Sequence, residues 1–340
     1  MPKLFQVHGM LLEEAVLFLL RFSGYRPIDA ADGSTVFKGV AGLEVAGRGE
    51  RHQIDAIADF TIPQPFVNPA RLLVEAKFKN GRVGIETLRN AVGVLKDVSE
   101  YWGRSNQPGM QPRFHYQYAI LASSGFSQNA QRYAVAHDIY LIPFERAKFF
   151  RPVLDAIRGV EPVARCDRRL SVELGCTLSE LRNKVRGQLR SGLPPEFRGV
   201  ATLGIAQTLK PVIDAVRQTG FSVLAVAVGR VPLVLTPAPG VHVEDLEGEI
   251  PVRIYWDEAG WYLRRAEGRR EEELFSFDVP EVVLGAYLNQ DRLSPIRALD
   301  LKGRELAVIK AIIERHGAVR TLTFRLDQEW LEQVRMRLKE

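Results

Sequence analysis

The chain has 340 residues, 46% of them hydrophobic and 26% charged, with 28 Gly and 19 Pro scattered rather than clustered. That balance excludes a disordered chain, a collagen-like repeat and a disulfide scaffold, and the length suits two domains at roughly 100–200 residues each. Forty-six Lys and Arg against 41 Asp and Glu leave a net charge of +5, which permits a polyanionic partner without requiring one. No apolar run reaches the roughly 18 residues of a membrane span, and the first residues lack the basic-then-apolar layout of a signal peptide. A soluble, cytoplasmic protein with no membrane partner is expected. Cys166 and Cys176 have neither further cysteines nor a nearby histidine to complete a zinc box, so reduced structural thiols are expected.

In chain order, Leu11, Leu12, Ala15, Val16, Phe18, Leu19 and Leu20 recur at helical spacing over 10–22, and Gly24 marks the stop. This helix carries Glu13 and Glu14. Segments 34–39, 43–46 and 53–60 alternate or run apolar around a turn at 47–50 and read as antiparallel strands. Leu72 to Phe78 is a short apolar run holding Glu75 and Lys77, best described as a buried strand. Ile85, Leu88, Ala91, Val92, Leu95, Val98 and Trp102 give helical periodicity over 85–102. A strand at 116–123, a helix at 127–137 opened by Ser127 and a short strand at 139–142 follow. Together these make an N-terminal domain of residues 1–160.

Residues 161–200 read as a basic helical linker. Thr177-Leu178-Ser179-Glu180 has the spacing of a capping box, and Gly192 suits the end of the helix it starts. Leu178, Leu181, Val185 and Leu189 share one face, while Arg182, Arg186 and Arg190 recur every four residues as a stripe. Between Arg165 and Arg198 eight basic residues stand against four acidic ones, so this stretch holds most of the excess charge. Residues 201–340 read as a mixed domain with a helix at 208–218, a strand at 221–228, a strand pair at 252–256 and 261–265, and helices near 304–315 and 328–338. Tyr255, Trp256, Trp261 and Tyr262 on the strand pair suit a packed core or an interface better than base stacking. No motif assigns this region an activity; sensing, regulation or oligomerisation are compatible with it.

The chemistry concentrates at Asp55 and at Glu75-Ala76-Lys77. In a strand Glu75 and Lys77 point to one face and Ala76 to the other. Two carboxylates on adjacent strands, with the Ala76 carbonyl and water, form an oxygen-rich site for Mg2+ or Mn2+. A lysine two residues beyond a ligand can orient an attacking water and offset charge building on a phosphate. By itself an acid-x-lysine triplet is more often a solvated strand edge, but here the charges sit in an apolar run where unpaired burial is costly. The pair then serves either a structural ion network or a metal.

The order of elements, with a Glu-bearing helix, a Gly-containing turn before Asp55, the Glu75-Ala76-Lys77 strand and then helix, strand, helix, strand, resembles the PD-(D/E)XK nuclease superfamily. Three segments are similar to Mrr-type restriction endonucleases: Leu12-Glu13-Glu14 through Gly24-Tyr25, Gly49 through Ile54-Asp55, and Ala122-Ser123-Ser124-Gly125-Phe126-Ser127 with Ala130 and Ala134. The likeness covers the first 145 residues or so. It implies an α/β architecture: a restriction-endonuclease-like N-terminal domain with a central mixed sheet flanked by helices, beside a second, mixed α+β domain. It also implies a Mg-dependent endonuclease, with Asp55 and Glu75 as metal ligands, Lys77 as the catalytic lysine and Glu13, or less well Glu14, as the helical acid. DNA is the implied substrate, a homodimer the implied assembly for cutting two strands, and defence against foreign DNA the implied role. His52, three residues before Asp55, is a candidate acid or phosphate contact, although a lone histidine is more often a polar surface residue. Arg182, Arg186 and Arg190 are candidates for gripping nucleic acid, and a helix packed on an acidic surface would look the same. Two other readings share these residues: a nucleic-acid-binding scaffold without activity, and an RNA-cleaving effector.

Overall fold

The computed structural model describes residues 4–40, 42–62, 65–101, 113–145, 147–160, 177–191, 203–220, 222–227, 231–257, 260–266, 272–288, 292–315 and 317–338. The expectations for Cys166, Cys176, Trp102 and Gly192 lie outside the described residues. The chain divides into two compact units, Met1–Arg21 with Tyr25–Gly220, and Phe22–Gly24 with Phe221–Glu340. Both contain helices and sheets, so the class is mixed α/β.

The first unit contains α1 (Leu4–Arg21), β1 (Tyr25–Pro27), β2 (Val36–Lys38), β3 (Leu43–Ala46), β4 (Arg51–Ile54), β5 (Ala56–Phe60), β6 (Ala70–Lys77), α2 (Ile85–Ser99), β7 (His115–Ala122), α3 (Gln128–Ala136), β8 (Ile139–Pro143), α4 (Arg151–Arg158), α5 (Leu178–Ser191) and α6 (Leu203–Thr219). Five strands form a sheet in the order β1-β5-β6-β7-β8, antiparallel from β1 to β6 and parallel from β6 to β8. The parallel pairs follow from the helices α2 and α3, which supply the crossovers. β2, β3 and β4 form a separate antiparallel sheet. The segment expected as one strand over 53–60 is therefore two, with Asp55 at the point where the chain leaves one sheet for the other.

α1 packs on β5 and β6 and is apolar on nearly every side, with Leu11, Leu12, Ala15, Val16 and Leu19 buried; a helix of that kind belongs inside a structure. α2 presents Leu88, Ala91 and Val98 to a core shared with Ile57, Leu73, Ile120 and Phe126. Ser127 caps α3, its hydroxyl accepting the Ala130 amide at 3.2 Å. The capping box of α5 is complete: the Thr177 amide donates to Glu180 at 2.7 Å and the Glu180 amide donates to the Thr177 hydroxyl at 3.2 Å. α5 buries Leu181, Val185 and Leu189 and packs on α1. The helix expected in a linker thus belongs to the first unit.

The second unit contains β9 (Val223–Ala227), β10 (Val231–Pro237), β11 (Gly248–Asp257), β12 (Gly260–Arg265), β13 (Glu273–Phe277), α7 (Glu281–Tyr287), α8 (Pro295–Glu305), β14 (Val308–Arg315), β15 (Ala318–Leu326) and α9 (Gln328–Arg337). Its strands close into a barrel in the order β10-β13-β12-β11-β15-β14-β9, with β9 and β10 paired. The strand pair expected at 252–256 and 261–265 is present as β11 and β12, and Trp261 is buried in the barrel core. The helix expected near 304–315 is corrected: α8 ends at Glu305, and Val308–Arg315 is a strand paired with both β15 and β9. Ile309, Ala311 and Ile313 are buried in alternation around exposed Lys310, a period of two that closes the barrel where a helical period would leave half of these residues in water. No helix among the described residues is long and apolar enough to cross a membrane.

Lys302 of α8 is only 7% exposed, and its ammonium lies 6.0 Å from the Trp261 ring and 5.6 Å from that of Trp330. Burial pulls its pKa down from 10.5 to about 8. The unfolded chain then holds the proton more tightly than the folded one, so stability rises as pH climbs from about 8 towards 10.5. Lys302→Met is expected to be more stable at pH 7, by about 2–3 kcal/mol less whatever the ammonium gains from the two rings, and to lack that alkaline rise. Urea titrations followed by tryptophan fluorescence at pH 7 and pH 9.5 measure it, since three of the four tryptophans lie in this unit. Parallel pH dependence in the two proteins would refute the burial cost.

Candidate active site

β6 runs between β5 and β7, and Leu72, Leu73 and Val74 bury its middle. Past Val74 the strand turns polar again, with Glu75 and Lys77 half-buried on one face and Ala76 buried on the other. Asp55 reaches β6 from the junction of β4 and β5, where its Oδ2 accepts the Ala76 amide at 2.9 Å. That bond lies just past the pairing of Ala56 with Val74, so the side chain extends the ladder where the β5 backbone turns away. The Lys77 ammonium lies 2.5 Å from Glu75 Oε1. The Tyr118 hydroxyl, from β7, donates to Glu75 Oε2 at 3.2 Å. Glu13 of α1 approaches from the helix side and pairs with Arg182 of α5 at 2.6 Å.

These groups form one electrostatic unit. Burial, then repulsion from Asp55, pushes the Glu13 carboxyl up to about 7 against the opposing pull of Arg182. Burial also raises Asp55, and Glu75 adds to the rise, while the Ala76 amide and Lys77 work against it. For Lys77 burial favours the neutral amine, but attraction to Glu75, Asp55 and Glu13 outweighs it and holds the ammonium charged. Burial and the carboxylate of Glu75 hold the Tyr118 phenol well above its ordinary value, so it stays a donor. The result is three acids that repel one another and two cations that offset them only in part.

Among the described residues, no group of three or more His, Cys, Asp or Glu side chains is gathered as a ready metal ligand set. Magnesium does not need one, because it keeps several waters and takes one or two carboxylates. The donor chemistry fits such an ion: Asp55, at the β4–β5 junction, bonds the Ala76 amide next to Glu75 on β6, and added positive charge would offset the burial and mutual repulsion that raise Glu13 and Asp55.

The other sequence candidates lie in different surroundings. His52 donates from Nε2 to the Asp97 carboxylate of α2 at 2.8 Å, not to Asp55 or Glu75. Asp97 also accepts the Gly49 amide at 2.9 Å, tying the 47–50 turn to α2; a Cβ at Gly47 would fall 2.0 Å from that carboxylate, which explains the glycine. The Ser123 hydroxyl bonds the Lys79 backbone and that of Ser124 the Gly81 carbonyl, so this turn is a joint between segments. The arginine stripe faces α1: beyond Arg182, Arg186 binds Glu14 at 2.6 and 2.8 Å and Asp29 at 3.1 Å, and Arg190 binds Asp29. Sequence reasoning missed Tyr118 and Asp29. The signal for Tyr118 is a polar-tipped aromatic in a strand that otherwise reads as buried; Asp29 lies in a loop with no pattern around it.

No family model matches the sequence, and no curated protein matches it. The chain is similar to a solved structure described as a protein of unknown function, AF1548, at 19% identity and a TM-score of 0.34, over 62% of this chain and 98% of that one.

Proposed function

We propose that the first unit is a metal-dependent nuclease of restriction-endonuclease-like fold, a hydrolase of phosphodiester bonds acting on DNA. The observation that carries this reading is the convergence of Glu13, Asp55, Glu75 and Lys77, from a helix, a junction and a strand, into one cluster of mutually interacting charges. Asp55 and Glu75, with the Ala76 carbonyl, would hold Mg2+ or Mn2+, and Glu13 would contact it directly or through water. Bound there, the ion supplies Lewis acidity towards phosphate oxygens and water. Lys77 orients the attacking water: its oxygen bonds to phosphorus, one P–O ester bond breaks, and the proton it gives up ends on the leaving oxygen. Tyr118 keeps Glu75 in place through its hydroxyl. A homodimer would bring two such sites to a duplex, and defence against foreign DNA is a role consistent with that activity.

A second reading has its own support. Glu75 and Glu13 each already have a cation at hand, as expected of a nucleic-acid-binding scaffold that kept the fold without turnover. Full-length protein incubated with supercoiled plasmid, linear duplex, single-stranded DNA and RNA, in Mg2+, Mn2+ or chelator, separates the two. Nicking or linearisation of DNA with either metal and none in chelator is the expected result. Cleavage that persists in chelator would overturn the proposed site, preference for RNA would favour the effector reading, and binding without cleavage in every condition would favour the scaffold.

A further inference from the structure

We infer that Arg182 is the residue of this site that binds the substrate phosphate, and that Arg186 and Arg190 are the clamp that holds it there. The inference rests on the nuclease reading and divides a stripe that looks uniform in sequence.

The three arginines lie one turn apart on α5 and meet different demands. Glu14 is 2% exposed, and an unpaired carboxylate at that depth would be costly. Arg186 answers it with Nε and Nη2, at 2.8 and 2.6 Å, and directs Nη1 to Asp29 at 3.1 Å. All three of its nitrogens are committed inside the unit. Arg190 pairs with Asp29 as well. These contacts, with buried Leu181, Val185 and Leu189, set both the position and the rotation of α5 on α1.

Arg182 is one turn nearer the cluster and is used less fully. One nitrogen lies 2.6 Å from Glu13 and another stands 3.9 Å from Glu14, beyond hydrogen-bond reach; exposure does not separate it from Arg186, the two being 18% and 19% exposed. Its charge acts on Asp55 as well as Glu13, so it sits within reach of the same centre as Lys77. Formal charge gives it a purpose. With all five groups charged, the state a bound cation would favour over the raised Glu13 and Asp55 carboxyls, Glu13, Asp55 and Glu75 against Lys77 and Arg182 leave −1, which a divalent ion would turn to +1. Without Arg182 the loaded site would be neutral and would offer no net attraction to a phosphodiester anion. A guanidinium is also suited in shape, because its planar fork matches two phosphate oxygens.

Arg182→Gln and Arg182→Lys in the full chain test this. Steady-state cleavage of a fluorescein-labelled 20-base-pair duplex is expected to show KM raised about tenfold in Arg182→Gln with kcat within about threefold of the parent, and partial recovery in Arg182→Lys. Anisotropy binding of the same duplex with Mg2+, in a Lys77→Ala background, is expected to lose about one unit from the slope of log Kd against log salt. Unchanged KM and slope would overturn the inference and leave the nuclease reading intact. A lower melting temperature and a lower kcat with KM and slope unmoved, and no recovery with lysine, would make Arg182 structural and overturn it too. If the parent binds the duplex but never cuts, the nuclease reading fails while the salt slope still judges Arg182. If it neither binds nor cuts, both fail. Should Arg182→Gln not fold, Arg182→Lys, which retains the charge beside Glu13 but loses the fork, still shows a raised KM if the inference holds.

Discussion

Asp55→Asn is expected to stop metal-dependent cleavage, a loss of about 10^3-fold or more, and at the same time to raise the melting temperature. The amide keeps the size of the side chain and an oxygen for the Ala76 amide, but not the charge that would hold a metal. Stability moves the other way because burial and Glu75 make the ionised form expensive to the fold. The Asp55 carboxyl is raised above its ordinary value of 3.8, so the folded state holds the proton more tightly and, by linkage, the parent loses stability relative to Asp55→Asn as pH climbs above that value. Thermal melts of both proteins between pH 4 and pH 7 measure the divergence. An acid kept for structure would behave in the opposite way, with the amide variant less stable at every pH and cleavage intact; that pairing of results would remove Asp55 from the chemistry. A gain in stability with loss of activity is the usual mark of a functional residue that costs the fold something.

Arg71→Met carries the largest expected effect on stability, a loss of about 3 kcal/mol or more. Arg71 is 3% exposed on β6, and its guanidinium grips Asp59 of β5 at 2.6 and 3.0 Å, donates to the Thr35 hydroxyl at 2.7 Å and lies 3.5 Å over the Phe114 ring. Removing it strands Asp59, leaves the Thr35 hydroxyl with Asp32 alone at 2.6 Å, and takes away the side-chain tie between β5 and β6, the two strands flanking the approach of Asp55 to Glu75. Lysine cannot substitute, since a single ammonium does not span these partners. Much of the loss is the penalty on the abandoned carboxylate, so adding Asp59→Leu to Arg71→Met is expected to restore a good part of it. Urea unfolding of the two single variants and the double variant closes the cycle. A cost below about 1 kcal/mol for Arg71→Met, or no recovery in the double variant, would mean the network adds little to the fold.

Parts of the candidate site are legible in the amino-acid sequence. Alternation along β6 places Glu75 and Lys77 on one face, and the fold brings their charged ends to 2.5 Å. The Thr177 to Glu180 spacing sets the phase of α5, which makes the arginine stripe visible as a stripe. The partners of that stripe are not legible. Glu13 and Glu14 stand out in sequence only as candidate helical acids, with nothing that matches them to the arginines, and Asp29 does not stand out at all; the seating of α5 on α1 turns three exposed-looking arginines into pairs with them. His52 misleads for a related reason: its nearness to Asp55 in the chain is lost because β4 belongs to a different sheet from β5, and its ring meets Asp97.

The sequence by itself determined most of the order of helices and strands in the first unit, without β1 or α4 and with 53–60 read as one strand, the capped starts of α3 and α5, and the shared face of Glu75 and Lys77. All of these follow from interactions within a few residues: side-chain periodicity, caps and turn residues. Tertiary structure alone decided the closure of seven strands into a barrel, the strand identity of Val308–Arg315, the passage from one sheet to another at Asp55, and which acid each arginine of α5 meets. Those outcomes depend on register and packing between segments far apart in the chain. A local pattern carries no record of which surface will be buried against it.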